Sequence, residues 1–160
     1  MPIKSFRGKL IDGAQDTIVL HTNDGSTGYK IIKFDIISAT PVTSGASEHV
    51  VQVWKIKQAA PSTITVDIDF SNQVLLAAAT WTGSDNPIYS NQQQVVFDYE
   101  VFNQDIYITH TNTDGDDAVN YYIELEQIKL DLNENTVATL KDIRNIEGQP
   151  FSSTPWNNII

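Results

Sequence analysis

The chain has 160 residues, 41% of them hydrophobic and 9% aromatic, which suits one domain around one core and excludes disorder over most of the length. Its net charge of −10 opposes binding to nucleic-acid phosphates, and with no cysteine it has no disulfide, thiolate nucleophile or thiolate metal site. No apolar run reaches the ~18 residues of a membrane span, and the opening Met1-Pro2-Ile3-Lys4-Ser5-Phe6-Arg7 lacks a signal-peptide apolar stretch. A soluble protein made without a Sec-type signal is expected, with no membrane partner.

Ile (19), Val (12) and Thr (15) outnumber Leu (8) heavily, and branched side chains suit a pleated sheet. About nine segments in chain order carry the pattern of strands bounded by turn formers: Lys4–Ile11, Asp16–Thr22, Tyr29–Ser38, His49–Lys57, Thr63–Phe70, Val74–Thr82, Val95–Phe102, Ile106–Thr111 and Tyr121–Leu132. Short, evenly spaced strands predict an all-β fold, an antiparallel β-sandwich or Greek-key barrel over residues 1–133. Asn23-Asp24-Gly25 and Asp114-Gly115 tolerate positive φ, so each is expected to close a hairpin between its flanking strands. In the last strand Tyr121, Ile123 and Leu125 share a face, but the apolar set resumes at Ile128, Leu130 and Leu132. That slip predicts a β-bulge near Glu126-Gln127.

Beyond it, Val137, Leu140, Ile143 and Ile146 recur every third residue and Gly148 follows, so residues 134–160 are expected to hold a short helix or irregular segment, then an extended tail. The tail contains Pro150 and Pro155 together with four large apolar residues, Phe151, Trp156, Ile159 and Ile160. These four are the candidate interaction residues, since such a segment should dock on its own domain or on a neighbour.

A faint repeat aligns Gln15–Asn23 with Gln104–Asn112, identical at five of nine positions. It fits either two corresponding hairpins in a pseudo-symmetric sandwich or coincidental turn chemistry, with the balance slightly toward coincidence. Charge is uneven: no Lys or Arg occurs from Ala59 through Ile128, while eleven acids do. The possible bases for catalysis are His21, His49 and His110, but neither Gly-x-Ser-x-Gly nor His-Glu-x-x-His occurs, and the glycines form no phosphate loop. No catalytic residue and no cofactor are therefore expected. Asn112-Thr113-Asp114-Gly115-Asp116-Asp117 is oxygen-rich, yet its glycine falls too early for an EF-hand and Ile123 stands where the bidentate Glu belongs, so it reads as a polar turn and not as a metal site. Trp54 and Trp81 lie within predicted strands, where a large aromatic belongs to a core more often than to a ligand platform.

Several stretches resemble small virion structural proteins of marine tailed phages. The resemblance is carried by Phe102–His110, Asn120–Glu126, Thr136–Ile146, Ile3–Gly8 and Gln15–Thr22, and is least over about Ala39 to Gln94. It implies a non-enzymatic component of a phage particle, located in the virion and assembled in the host bacterial cytoplasm. Small size, β content and a docking tail point first to a capsid decoration or cement protein, a homo-oligomer bound to the major capsid protein or other virion proteins. A tail or adsorption component, or a carbohydrate- or host-receptor-binding sandwich, is the alternative.

Overall fold

The computed structural model describes residues 2–23, 25–41, 47–59, 67–83, 91–113 and 115–131. They form eight strands: β1 (Ile3–Leu10), β2 (Gln15–Ile18), β3 (Thr27–Ser38), β4 (Ser47–Trp54), β5 (Leu75–Gly83), β6 (Asn91–Val96), β7 (Ile106–Asn112) and β8 (Val119–Lys129). All pairings are antiparallel, in a three-stranded sheet of order β1-β8-β3 and a five-stranded sheet of order β2-β7-β4-β5-β6. The order β7-β4-β5-β6 is a Greek key, three successive strands with the fourth returning beside the first. The all-β sandwich expected from the β-branched excess is thus present.

Alternation explains the core. On β8 Val119, Tyr121, Ile123 and Leu125 are buried while Asn120 is exposed, and they meet Ile18, Val51, Val53, Ala77, Ala79, Ile106 and Ile108 of the other sheet in one apolar cluster. A smaller cluster of Trp54, Val74 and Leu75 lies at one end. At one side of the sandwich Gly8 pairs with Tyr121, whose hydroxyl donates to Asp16 Oδ2 across the sheets at 2.9 Å. A Cβ on Gly8 would stand 2.7 Å from the Tyr121 ring, so the absence of a side chain there makes room for that link. At the opposite side Gln94 Nε2 donates to Asp35 Oδ1 at 3.0 Å, tying β6 to β3.

Three expectations need correction. Neither Asn23-Asp24-Gly25 nor Asp114-Gly115 closes a hairpin, because β2 and β7 belong to the five-stranded sheet while β3 and β8 belong to the three-stranded one. Gly25 and Gly115 do adopt positive φ, 65° and 124°, but the turns carry the chain from sheet to sheet. The bulge lies on β3: Ile31 pairs with Leu125 and Lys33 with Glu124, leaving Ile32 without an opposite residue, while β8 runs in unbroken register past Glu126 and Gln127. The same slip is legible in β3, where Tyr29 and Ile31 face inward and then Phe34 and Ile36 do. The apparent slip in β8 is the strand leaving the core, with Ile128 half-buried and Leu130 buried beyond the strand end.

The expected strand Thr63–Phe70 lies partly outside the described residues, and Asp67–Phe70 is not a strand. Val95–Phe102 is strand only to Val96, with a single bridge from Phe102 to Tyr29. The helix expected at 134–146 and the tail with Phe151, Trp156, Ile159 and Ile160 lie outside the described residues.

Candidate functional site

The three histidines divide into one surface clamp and one buried pair. Asp105 Oδ1 accepts from the Leu20 amide (2.9 Å), the His21 amide (3.1 Å) and His21 Nδ1 (2.7 Å). Burial alone would raise the Asp105 carboxyl, but these hydrogen bonds outweigh it and hold the group below its usual range. The clamp lies just beyond β2 and turns the chain out toward β3. Nothing in the sequence singled out Asp105, whose partners are more than eighty residues away.

His49 on β4 and His110 on β7 are fully buried, with His49 Nδ1 2.8 Å from His110 Nε2. His110 Nδ1 lies 3.0 Å from the Ile11 carbonyl, and His49 Nε2 lies 3.0 Å from Ser38 Oγ. One proton arrangement satisfies this chain with neutral rings. The carbonyl only accepts, so His110 Nδ1 carries hydrogen. His110 Nε2 must then accept from His49 Nδ1, and His49 Nε2 accepts from the Ser38 hydroxyl. Ser38 Oγ in turn accepts from the Thr40 amide at 3.3 Å. Burial and the neighbouring His110 bring His49 down to about 4, the carboxylates of Asp117 and Asp12 opposing. Burial lowers His110 as well, against the Ile11 carbonyl and Asp12.

Hydroxyl, imidazole and orienting imidazole stand here in the order of a nucleophile with its base. Yet Ser38 is 1% exposed and both histidines are sealed, so no substrate reaches the hydroxyl. The chain instead runs from Ile11 and Ser38, beside the three-stranded sheet, through two strands of the five-stranded one. It is an internal strut joining the layers.

Asn112 is likewise engaged structurally. Its Oδ1 accepts from the Glu48 amide (3.1 Å), its Nδ2 donates to the Asp117 carbonyl (3.3 Å) and its own amide donates to Asp12 Oδ1 (2.8 Å). Trp54 is buried, donating Nε1–H to Thr109 Oγ1 at 2.9 Å, and Trp81 is half-buried against the main core. The segments of the faint repeat pair with each other, Ile18 opposite Ile106, and do not build two corresponding hairpins.

Exposed aromatics gather elsewhere, at the end of the sandwich carrying the smaller cluster. Asp69 Oδ1 accepts from the Ser71 amide and hydroxyl (3.0 and 2.6 Å), forming a turn that presents Phe70. The Phe97–Glu100 turn, closed by Glu100 N–H to the Phe97 carbonyl (3.2 Å) and held by buried Lys55 Nζ on Glu100 Oε2 (3.0 Å), presents Tyr99. Tyr99 is 96% exposed and Phe70 55%, with Phe70 edge-on to Phe97 at 5.2 Å between ring centroids. These side chains line a cleft of about 370 Å³ with Asp98 and Glu100 on its rim.

Fold and surface together define an antiparallel Greek-key β-sandwich with a sealed interior and an aromatic cleft at one end. No protein-family model, no curated protein and no solved structure matches this chain.

Proposed function

We propose that the chain is a non-enzymatic structural protein of a phage particle, a capsid decoration protein that docks on the head lattice through the Phe70–Tyr99 end of the sandwich. The resemblance of the strand sequences supports the particle assignment. The observation that carries docking is the exposure of Tyr99 and Phe70 on two turns, each held by its own hydrogen bonds. The hydrogen bonds fix the backbone beneath each ring, an aromatic side chain has only two torsions to order on contact, and aromatics are enriched in the energetic centres of interfaces. Phe151, Trp156, Ile159 and Ile160 would add a second, apolar anchor.

Quantitative mass spectrometry of purified particles tests the reading. A decoration protein is present in hundreds of copies, and Tyr99→Ala should lower its occupancy severalfold while leaving its melting temperature nearly unchanged. A few dozen copies would move the protein to the tail, and absence from the particle would overturn the reading.

A further inference from the structure

Basic residues are scarce in this chain, and their placement is selective. Lys4, Arg7, Lys9, Lys30, Lys33 and Lys129 all lie on the three-stranded sheet, whereas the strands of the five-stranded sheet carry no Lys or Arg. Strand alternation turns Arg7 and Lys9 to the outer face, ~7 Å apart along β1. Register across the sheet then sets two rows: Lys9 beside Asn120 beside Ile37, and Arg7 beside Tyr122 beside Asp35. These six side chains line a groove of about 510 Å³, within the ~300–1,000 Å³ range of small-molecule sites.

The charges in the groove are not balanced. Asp35 is already engaged, with Lys33 Nζ 3.7 Å from Oδ2 and Gln94 Nε2 3.0 Å from Oδ1. Glu126, further along the face, pairs with Lys30 at 3.2 Å. The side chains of Arg7 and Lys9 have no hydrogen-bond or ion-pair partner among the described residues, although the chain carries twice as many acids as bases.

We propose that this groove binds an acidic saccharide, with Arg7 and Lys9 receiving the sugar carboxylate. The arginine fork matches a carboxylate in two parallel hydrogen bonds, and the lysine adds a point charge beside it. The Asn120 amide offers a donor and an acceptor to ring hydroxyls. Ile37, 53% exposed, and the Tyr122 ring form an apolar wall for the C–H face of the sugar. Lys33 Nζ stands over the Tyr122 ring, 5.7 Å from its centroid, and adds a further cation beside the groove. A phosphate backbone needs a longer row of cations than this face supplies, because Glu124 follows Tyr122 on the same side of β8. The inference is independent of the virion reading, which concerns the opposite family of contacts at the Phe70–Tyr99 end.

The full chain is applied to an array of uronate-bearing, sialate-bearing and neutral glycans. The best acidic glycan is then titrated by calorimetry beside its methyl-esterified twin and an oligothymidylate of similar length. Expected are saturable binding of the acid, at least tenfold weaker binding of the ester, and at least tenfold loss in Arg7→Gln and in Lys9→Gln, both exposed substitutions with unchanged thermal melts. Affinity should also fall as salt is raised. Retention of no acidic glycan above the neutral ones, or affinity unchanged in the Arg7→Gln/Lys9→Gln double variant, overturns the proposal. So does oligothymidylate binding as tightly as the sugar, or a dimer of the chain that the double variant dissolves, since the groove would then serve phosphate or another copy.

Discussion

His49 and His110 are held neutral by burial, and that has a defined pH consequence. Their folded-state values lie below the unfolded value of 6.5, His49 at about 4, so between those limits the unfolded chain binds more protons. Stability contributed by the neutral pair is therefore complete above pH 6.5 and is lost as pH falls toward 4, on the order of 3 kcal/mol from His49 alone. His110→Leu leaves His49 Nδ1–H and the Ile11 carbonyl without their partner. It should cost about 2–5 kcal/mol at neutral pH and lessen the loss between pH 6.5 and 4 only by the share that His110 contributes, since His49 stays buried, as urea titrations at both ends of that interval would measure. Gly8→Ala tests the neighbouring cross-sheet link. Its new methyl would displace a Tyr121 ring whose hydroxyl is fixed on Asp16, and a destabilisation of about 1–3 kcal/mol in thermal or urea unfolding is expected. Because burial and the Asp16 carboxylate both push the Tyr121 phenol upward, the displaced ring should titrate at lower pH, which ultraviolet difference spectra would record.

At the scale of elements, the bulge at Ile32 makes a prediction that runs against the usual expectation for deletions. Removing Ile32 leaves Tyr29, Ile31, Phe34 and Ile36 in strict alternation on the inward face and brings Lys33 directly after Ile31, which matches the pairing already made with Glu124 and Leu125. The deletion should fold, with a loss of no more than ~1–2 kcal/mol for the altered local twist. Removing Asp35 instead throws Phe34 and Ile36 onto opposite faces, and no cooperative unfolding transition should remain. Calorimetry of the two single-residue deletions separates them, and equal behaviour would mean that the β3 register is not held as described. The strands β2 and β7 show a second effect of context. His21 and His110 occupy matching places in the faint repeat, yet one is exposed on Asp105 and the other sealed on His49.

For the molecule as a whole, topology sets the folding speed. Apart from β4–β5 and β5–β6, every strand pairing joins elements that are not consecutive in the chain, and β8 closes the three-stranded sheet by fitting between β1 and β3. Closing such long loops before any contact rewards them makes nucleation slow. Refolding followed by tryptophan fluorescence, with buried Trp54 and half-buried Trp81 as reporters, should take milliseconds to seconds. Microsecond refolding would contradict the Greek-key order.

The amino-acid sequence alone determined the all-β class, most strand positions and the inward faces, because β-branched content and period-two alternation are local properties that act before any tertiary contact forms. Uneven charge was legible too, but not its meaning. Only the register of β1 on β8 and β3 places Arg7 and Lys9 over one groove with Tyr122. The two cross-sheet turns were read as hairpins because glycine chemistry sets the local φ and says nothing about which sheet the next strand joins. In the same way His49 and His110, sixty-one residues apart, each read as a lone base until β4 and β7 paired and one ring became the other's hydrogen-bond partner. Tertiary structure decides such features because pairing partners are selected by burial of whole faces, a property that no short window of sequence contains.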